Sequence, residues 1–117
     1  MIKTNIFFKD SDGITVELVK AEYTKNGHIY LGLMIADVPE EWQEDFFIGD
    51  DYADVSVNLE NLKENEIAID HNLIDCCGAE FAADVICKIS DGRPRRVINN
   101  GFVTFPVYEL NQGILEA

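Results

Sequence analysis

Residues 28–36 read HIYLGLMIA, and this stretch decides the fold. Alternate positions on one face carry large aliphatic side chains, namely Ile29, Leu31, Leu33 and Ile35. The positions between them, Tyr30 to Ala36, are mostly apolar as well. A strand that is apolar on both faces is typical of the interior of a sheet. The segment therefore predicts a central β-strand that crosses a hydrophobic core.

Further strands are predicted on both sides of this segment. Residues 2–8 and 14–20 are two β-type runs that flank a turn at Ser11, Asp12 and Gly13, which indicates a hairpin. Downstream, residues 52–59 alternate between apolar and polar positions, and residues 66–70 repeat that pattern around Ile67 and Ile69. Strict alternation predicts half-buried strands.

The period changes to a helical one over residues 76–89. Cys77, Phe81, Val85 and Ile89 follow each other at i,i+4 spacing and predict one amphipathic helix. A turn at residues 99–101 then leads into a last strand, residues 102–110, in which Pro106 predicts an edge or bulged position. We expect a single α+β domain over residues 1–117, with a mostly antiparallel sheet of five to six strands and one amphipathic helix packed on a face.

The charge of the chain is concentrated in its middle. The net charge is −13, and residues 37–87 carry 15 acidic side chains against one lysine. Such acidity excludes direct binding to nucleic acid or to an anionic membrane, since both require cations on the protein. It favours a partner protein with a basic surface.

Location follows from what the sequence does not contain. The first residues, MIKTNIFFKD, lack the apolar run and cleavage pattern of a signal peptide, and no apolar run is long enough to span a membrane. Three cysteines, two of them adjacent, suit a reducing compartment better than a disulfide framework. We expect a cytoplasmic protein.

An acidic insertion, residues 37–51, separates the central strand from the next one. If Pro39 begins a helical turn, Trp42 and Phe46 lie on one face, while Glu40 with Glu44 forms a like-charge pair costing roughly 0.2–0.5 kcal/mol. Such a turn needs packing by its aromatic residues or a partner to be stable.

Two interpretations of the insertion stay open. In one, Trp42 and Phe46 cap the sheet and the acids form a solvated face. In the other, the carboxylates contact Lys or Arg of a partner while an aromatic side chain anchors the contact. The binding residues would then be Asp37, Glu40, Glu41, Trp42, Glu44, Asp45, Phe46, Asp50, Asp51 and Asp54.

One form of such a surface imitates a nucleic acid. Carboxylates two residues apart on a strand, or four apart on a helix, are about 6 Å apart. That spacing could occupy the cation sites of a groove that binds DNA or RNA.

Catalytic and metal-binding patterns are weak. The spacing of Cys76, Cys77 and Cys87 does not match a zinc site, so we expect no metal and no cofactor. Cys76 is a candidate nucleophile only if a helix end lowers its pKa against the surrounding acids. Arg93, Arg95 and Arg96 either neutralise the protein's own acids or form a patch for self-association.

Two stretches resemble a known family. Residues 52–72, YADVSVNLENLKENEIAIDHN, and residues 99–111, NNGFVTFPVYELN, are similar to the signature of the domain-of-unknown-function 4313 family, small acidic proteins of bacterial mobile elements. The resemblance covers about a third of the chain and excludes the acidic insertion. It implies no enzyme activity, and it implies a role in counter-defence or in transfer of the element.

These observations predict a non-enzymatic inhibitor. We expect it to bind a basic nucleic-acid-binding protein, such as a CRISPR effector nuclease or a restriction enzyme, as an anti-CRISPR or anti-restriction protein. The alternative is a homo-oligomeric accessory protein, in the simplest case a homodimer, of a plasmid or conjugative element with no inhibitory role.

Overall fold

The computed structural model describes residues 1–117 as an α+β protein, which confirms the predicted class. The strands are β1 (Ile2–Lys9), β2 (Thr15–Glu22), β3 (Ile29–Asp37), β4 (Asp51–Asp54), β5 (Ser56–Val57), β6 (Glu66–Ile69), β7 (Arg96–Asn100) and β8 (Val103–Glu109). The helices are α1 (His71–Cys77), α2 (Ala79–Ile89) and α3 (Gln112–Leu115), and a 3-10 helix spans Glu40–Trp42.

The strands form two antiparallel sheets of four strands each, so the prediction of one five- to six-stranded sheet is wrong. Sheet A has the order β1-β2-β3-β4 and contains the predicted hairpin and central strand, and sheet B has the order β5-β6-β8-β7. The predicted strand over residues 52–59 changes sheets at Val55. The N–H of Val55 donates to Leu31 O in sheet A at 2.9 Å, and the C=O of Val55 accepts from Asp70 N beside sheet B at 2.9 Å.

The prediction of one helix over residues 76–89 is also wrong, because the chain breaks at Gly78. Its φ of 93° and ψ of 153° are incompatible with a helix and strained for any residue with a side chain. Helix α1 begins earlier, at His71, after Asp70 caps it by accepting a hydrogen bond from Asn72 N at 2.9 Å. The interruption divides the segment into two short helices, α1 and α2.

The last strand lies inside its sheet, contrary to the edge position predicted from Pro106. Strand β8 lies between β6 and β7, and the overlooked strand β7 forms the outer edge. Pairing between β6 and β8 extends only as far as Ala68 opposite Val107. Pro106 is tolerated because the β6 ladder has ended before it is reached.

The main core lies between the two sheets and the helices. It combines side chains from both sheets with those of the helices, including Leu18, Leu33, Ile67, Leu73 and Val85. A smaller core on the other face of sheet B joins Leu59 and Leu62 to Ala68 and Val107. None of the helices has the length and apolar character needed to cross a membrane.

Candidate protein-binding surface

The acidic insertion leaves sheet A at the end of β3 and returns to it at β4. Two backbone hydrogen bonds of 2.8 Å close its base, from Gly49 N to Ile35 O and from Ile35 N to Asp50 O. Gly49 has a φ of 94°, a conformation that a residue with a side chain rarely adopts. Val38 is buried at the other end of the insertion. The segment is therefore fixed at both ends.

Trp42 and Phe46 hold the middle of the insertion against the protein. Phe46 N donates to Trp42 O at 3.1 Å, and the two rings meet edge to face with centroids 6.1 Å apart. Both side chains are half-buried against the main core. They share a face, as their i,i+4 spacing predicts. Much of their surface is used by packing within the chain.

The carboxylates of residues 37–54 point away from the protein. All eight are exposed, namely Asp37, Glu40, Glu41, Glu44, Asp45, Asp50, Asp51 and Asp54. None forms an ion pair. Asp37 accepts a hydrogen bond from the backbone N–H of Val38 at 3.0 Å, and Asp54 accepts one from Tyr30. The other six side chains have no hydrogen-bond partner in the chain.

A tyrosine fixes Asp54. The Tyr30 hydroxyl donates to Asp54 Oδ1 at 2.6 Å, and the Tyr30 ring lies across Gly32, where a larger residue would collide with it. Burial of the ring, followed by the hydrogen bond to Asp54, raises the pKa of Tyr30 above its usual value. The hydroxyl therefore keeps its proton at neutral pH and goes on donating to Asp54.

Phe47 and Ile48 are the apolar residues that the insertion exposes, and they are not among the binding residues predicted from the sequence. Their exposed fractions are 60% and 68%, among the largest for apolar side chains in the protein. A helical period starting at Trp42 places Phe46 on the packed face and Phe47 off it. That offset is the signal in the sequence that could have identified them.

The arginines of the chain do not neutralise the insertion. Arg95 pairs with Asp91 at 2.8 Å and lies 3.6 Å from Glu109, while Arg96 pairs with Glu66 at 2.8 Å. These acids all lie outside residues 37–54. The insertion keeps its full negative charge.

The groups considered for catalysis are poorly arranged for it. Cys76, Cys77 and Cys87 are free thiols, and burial raises the pKa of Cys77, with the neighbouring Cys76 acting in the same direction. A raised pKa disfavours the thiolate that a nucleophile needs. Cys76, the candidate nucleophile, lies in the last turn of α1 and not at the helix N-terminus that could stabilise a thiolate. No three His, Cys, Asp or Glu side chains lie close enough together to hold a metal ion.

The surface is thus defined by its geometry: six unpartnered carboxylates, with Phe47 and Ile48 exposed between Asp45 and Asp50. The resemblance to the domain-of-unknown-function 4313 family stays a prediction. No protein-family model, no curated protein and no solved structure matches the chain at a significant level.

Proposed function

We propose that the protein is a non-enzymatic inhibitor whose residues 37–54 bind the basic, nucleic-acid-binding surface of another protein. A CRISPR effector nuclease or a restriction enzyme is the kind of partner that fits this description. The observation that carries the proposal is the set of six exposed carboxylates without internal partners, beside the exposed Phe47 and Ile48.

Charge and apolar surface have different roles in this contact. Carboxylates that have no partner in the chain are free to pair with Lys and Arg of the partner, which speeds association and selects basic surfaces. Affinity in protein interfaces depends on a few apolar or aromatic anchors in the centre of the contact. Phe47 and Ile48 meet that requirement better than Trp42 and Phe46, because their side chains are not committed to the core.

The experiment begins with capture of the partner from a bacterial lysate and its identification by mass spectrometry. Binding is then measured for a variant carrying Glu40→Gln, Glu41→Gln, Glu44→Gln and Asp45→Asn. We expect its affinity to fall at least tenfold, mainly through slower association. Unchanged affinity would contradict the proposed surface.

A matched control has the same change in net charge elsewhere. Glu60→Gln, Glu64→Gln, Asp75→Asn and Glu80→Gln also remove four exposed negative charges, but outside the insertion. We expect this variant to bind nearly as tightly as the natural chain. An equal loss in both variants would show that overall charge matters and that the insertion has no special part.

A second pair of variants tests the anchor. Phe47→Ala with Ile48→Ala should weaken binding by roughly tenfold or more without changing stability, as loss of a central anchor does. Ile2→Ala with Phe7→Ala, at two exposed residues of β1 outside the insertion, is the matched control and should leave the affinity unchanged.

A further inference from the structure

Edge strand β7 of sheet B is open, whereas edge strand β1 of sheet A is protected. Strand β1 has an irregular register between Lys3 and Phe7, with Asn5 in the left-handed conformation at a φ of 61°. Bulges and lysines of this kind prevent edge strands from pairing with other chains. Strand β7, with the sequence RVINN, has a regular register along its whole length and no charge after Arg96.

The backbone groups that β7 leaves free can be identified. Opposite residues in an antiparallel pair alternate between pairs that exchange hydrogen bonds and pairs that do not. Val97 lies opposite Pro106, which has no N–H and cannot exchange both hydrogen bonds, so this pair takes the non-bonded place in the alternation. By alternation the same holds for Asn99 and Thr104, and Thr104 O accordingly bonds to His71 Nε2 on the other side, at 2.7 Å. The N–H and C=O groups of Val97 and Asn99 therefore point outward.

The same region is the part of the chain best able to approach a second copy. Residues 92–108 contain three arginines and no acidic residue, in a chain with 22 acids and a net charge of −13. Acid-free stretches also occur at residues 1–9 and 23–36, but the first lies in the protected edge strand β1 and most of the second lies in the interior strand β3. Val97 and Val103 are 60% and 42% exposed, and Phe102 at the hairpin tip is fully exposed.

We propose that two copies of the chain pair through β7, antiparallel, about a twofold axis at Ile98. This register places Val97 of each copy opposite Asn99 of the other, so that all the outward backbone groups of both residues are used in four hydrogen bonds. It also places Arg96 opposite Asn100 and Ile98 opposite Ile98. No two like charges face each other, and the two copies of sheet B become one continuous sheet.

The same register accounts for the exposed hairpin tip. With Asn100 opposite Arg96, it brings the hairpin tip, where the chain turns at Gly101 and Phe102, next to residues 93–95 of the second copy. An aromatic ring next to a guanidinium gains a cation–π contact. Arg93 is exposed and has no ion pair within the chain, so it is free to make this contact.

Sedimentation equilibrium of the full chain, over about 5 to 500 µM, tests the proposal, and a reversible dimer is expected because a single strand pair forms a small interface. Val97→Lys with Asn99→Lys places lysines opposite each other at both ends of the pairing and should weaken dimerisation about tenfold. Val97→Glu with Asn99→Lys places opposite charges there and should keep or strengthen the dimer.

Circular dichroism shows whether each variant is folded, and the comparison is restricted to variants that melt like the natural chain. A monomer at every concentration would overturn the proposal, even if the monomer captured another protein through β7. A dimer that tolerates the double lysine variant would also overturn it. Equal weakening by both variants would overturn the register.

Discussion

The acidic insertion and the β7–β8 hairpin both combine charges of one sign with exposed apolar side chains, but the signs are opposite. Residues 37–54 carry eight acids and no base, and residues 92–108 carry three arginines and no acid. Each exposes large apolar side chains beside its charges. The insertion, however, is packed onto the main core through Trp42 and Phe46, whereas Phe102 at the hairpin tip is fully exposed. An aromatic residue in a charged segment is therefore evidence for partner binding only if its side chain is not already packed against the chain's own core.

The largest expected effect is on the free energy of unfolding, when Trp42 is replaced. Trp42→Ala removes an aromatic side chain that packs against the core and should lower the free energy of unfolding by about 2 kcal/mol, less than for a fully buried tryptophan. Phe102→Ala removes a fully exposed ring and should change it by less than about 0.5 kcal/mol. Urea denaturation followed by circular dichroism measures both values. Equal losses would mean that the insertion is not held by its aromatic residues.

Salt should have opposite effects on the two surfaces, weakening partner binding at the insertion and strengthening dimerisation through β7. Raising NaCl from about 0.1 to 1 M shortens the screening length from about 10 to 3 Å. Binding of a basic partner to the insertion should weaken several-fold because its attraction is screened. Dimerisation through β7 should strengthen, because salt screens the repulsion between two copies of charge −13. Titrations at both salt concentrations, by calorimetry and by sedimentation, check the two signs, and a common sign would contradict one of the two proposals.

The smallest expected effect concerns the ion pair at the start of β7 between the partly exposed Arg96 and the buried Glu66. Glu66 is only 6% exposed, and the hydrogen bond from Arg96, followed by that from the backbone of Lys63, holds its pKa below the usual value. The pair therefore stabilises the fold fully above the ordinary carboxyl pKa, and that contribution is lost as the pH falls through the lowered value. Arg96→Met should be less stable than the natural chain at pH 7, and the difference should shrink as the pH is lowered.

Urea midpoints at several pH values measure that difference. Arg93→Met is the control, since Arg93 is exposed and forms no ion pair. A difference between Arg96→Met and the natural chain that stayed constant with pH would show that the side chain acts through packing and not through its charge.

Local patterns predicted much of the fold. The central strand follows from its apolar character on both faces, and the first hairpin and the strand around Ile67 follow from their β-type patterns. The half-buried character predicted for residues 66–70 is wrong, because all four residues of β6 are buried, Glu66 included. The division into two sheets could not be predicted from the sequence. Val55 continues the alternation of residues 52–59, but its N–H bonds to sheet A and its C=O bonds beside sheet B. The helix break did not follow either: positions 77, 81, 85 and 89 keep their spacing across Gly78, where only the backbone angle shows the interruption.

The candidate surface was predicted in its charges and incompletely in its anchors. Exposure of acidic residues is a safe expectation, because an unpaired carboxylate is costly to bury. The sequence does not determine which apolar residues of the insertion, Trp42, Phe46, Phe47 or Ile48, face outward. This depends on where the helical turn after Pro39 begins and how it packs on the sheet, which are properties of the tertiary structure. Strand β7 was overlooked because three arginines and two asparagines in residues 93–100 conceal a short apolar pair, Val97 and Ile98.

Val55 has a consequence for how the molecule unfolds. Since this residue is hydrogen-bonded toward both sheets, neither sheet can separate from the other without breaking the strand that they share. We therefore expect the chain to melt as one cooperative unit. A partner that binds the insertion and a second copy that binds β7 would each protect the whole protein against denaturation, although one contacts sheet A and the other contacts sheet B.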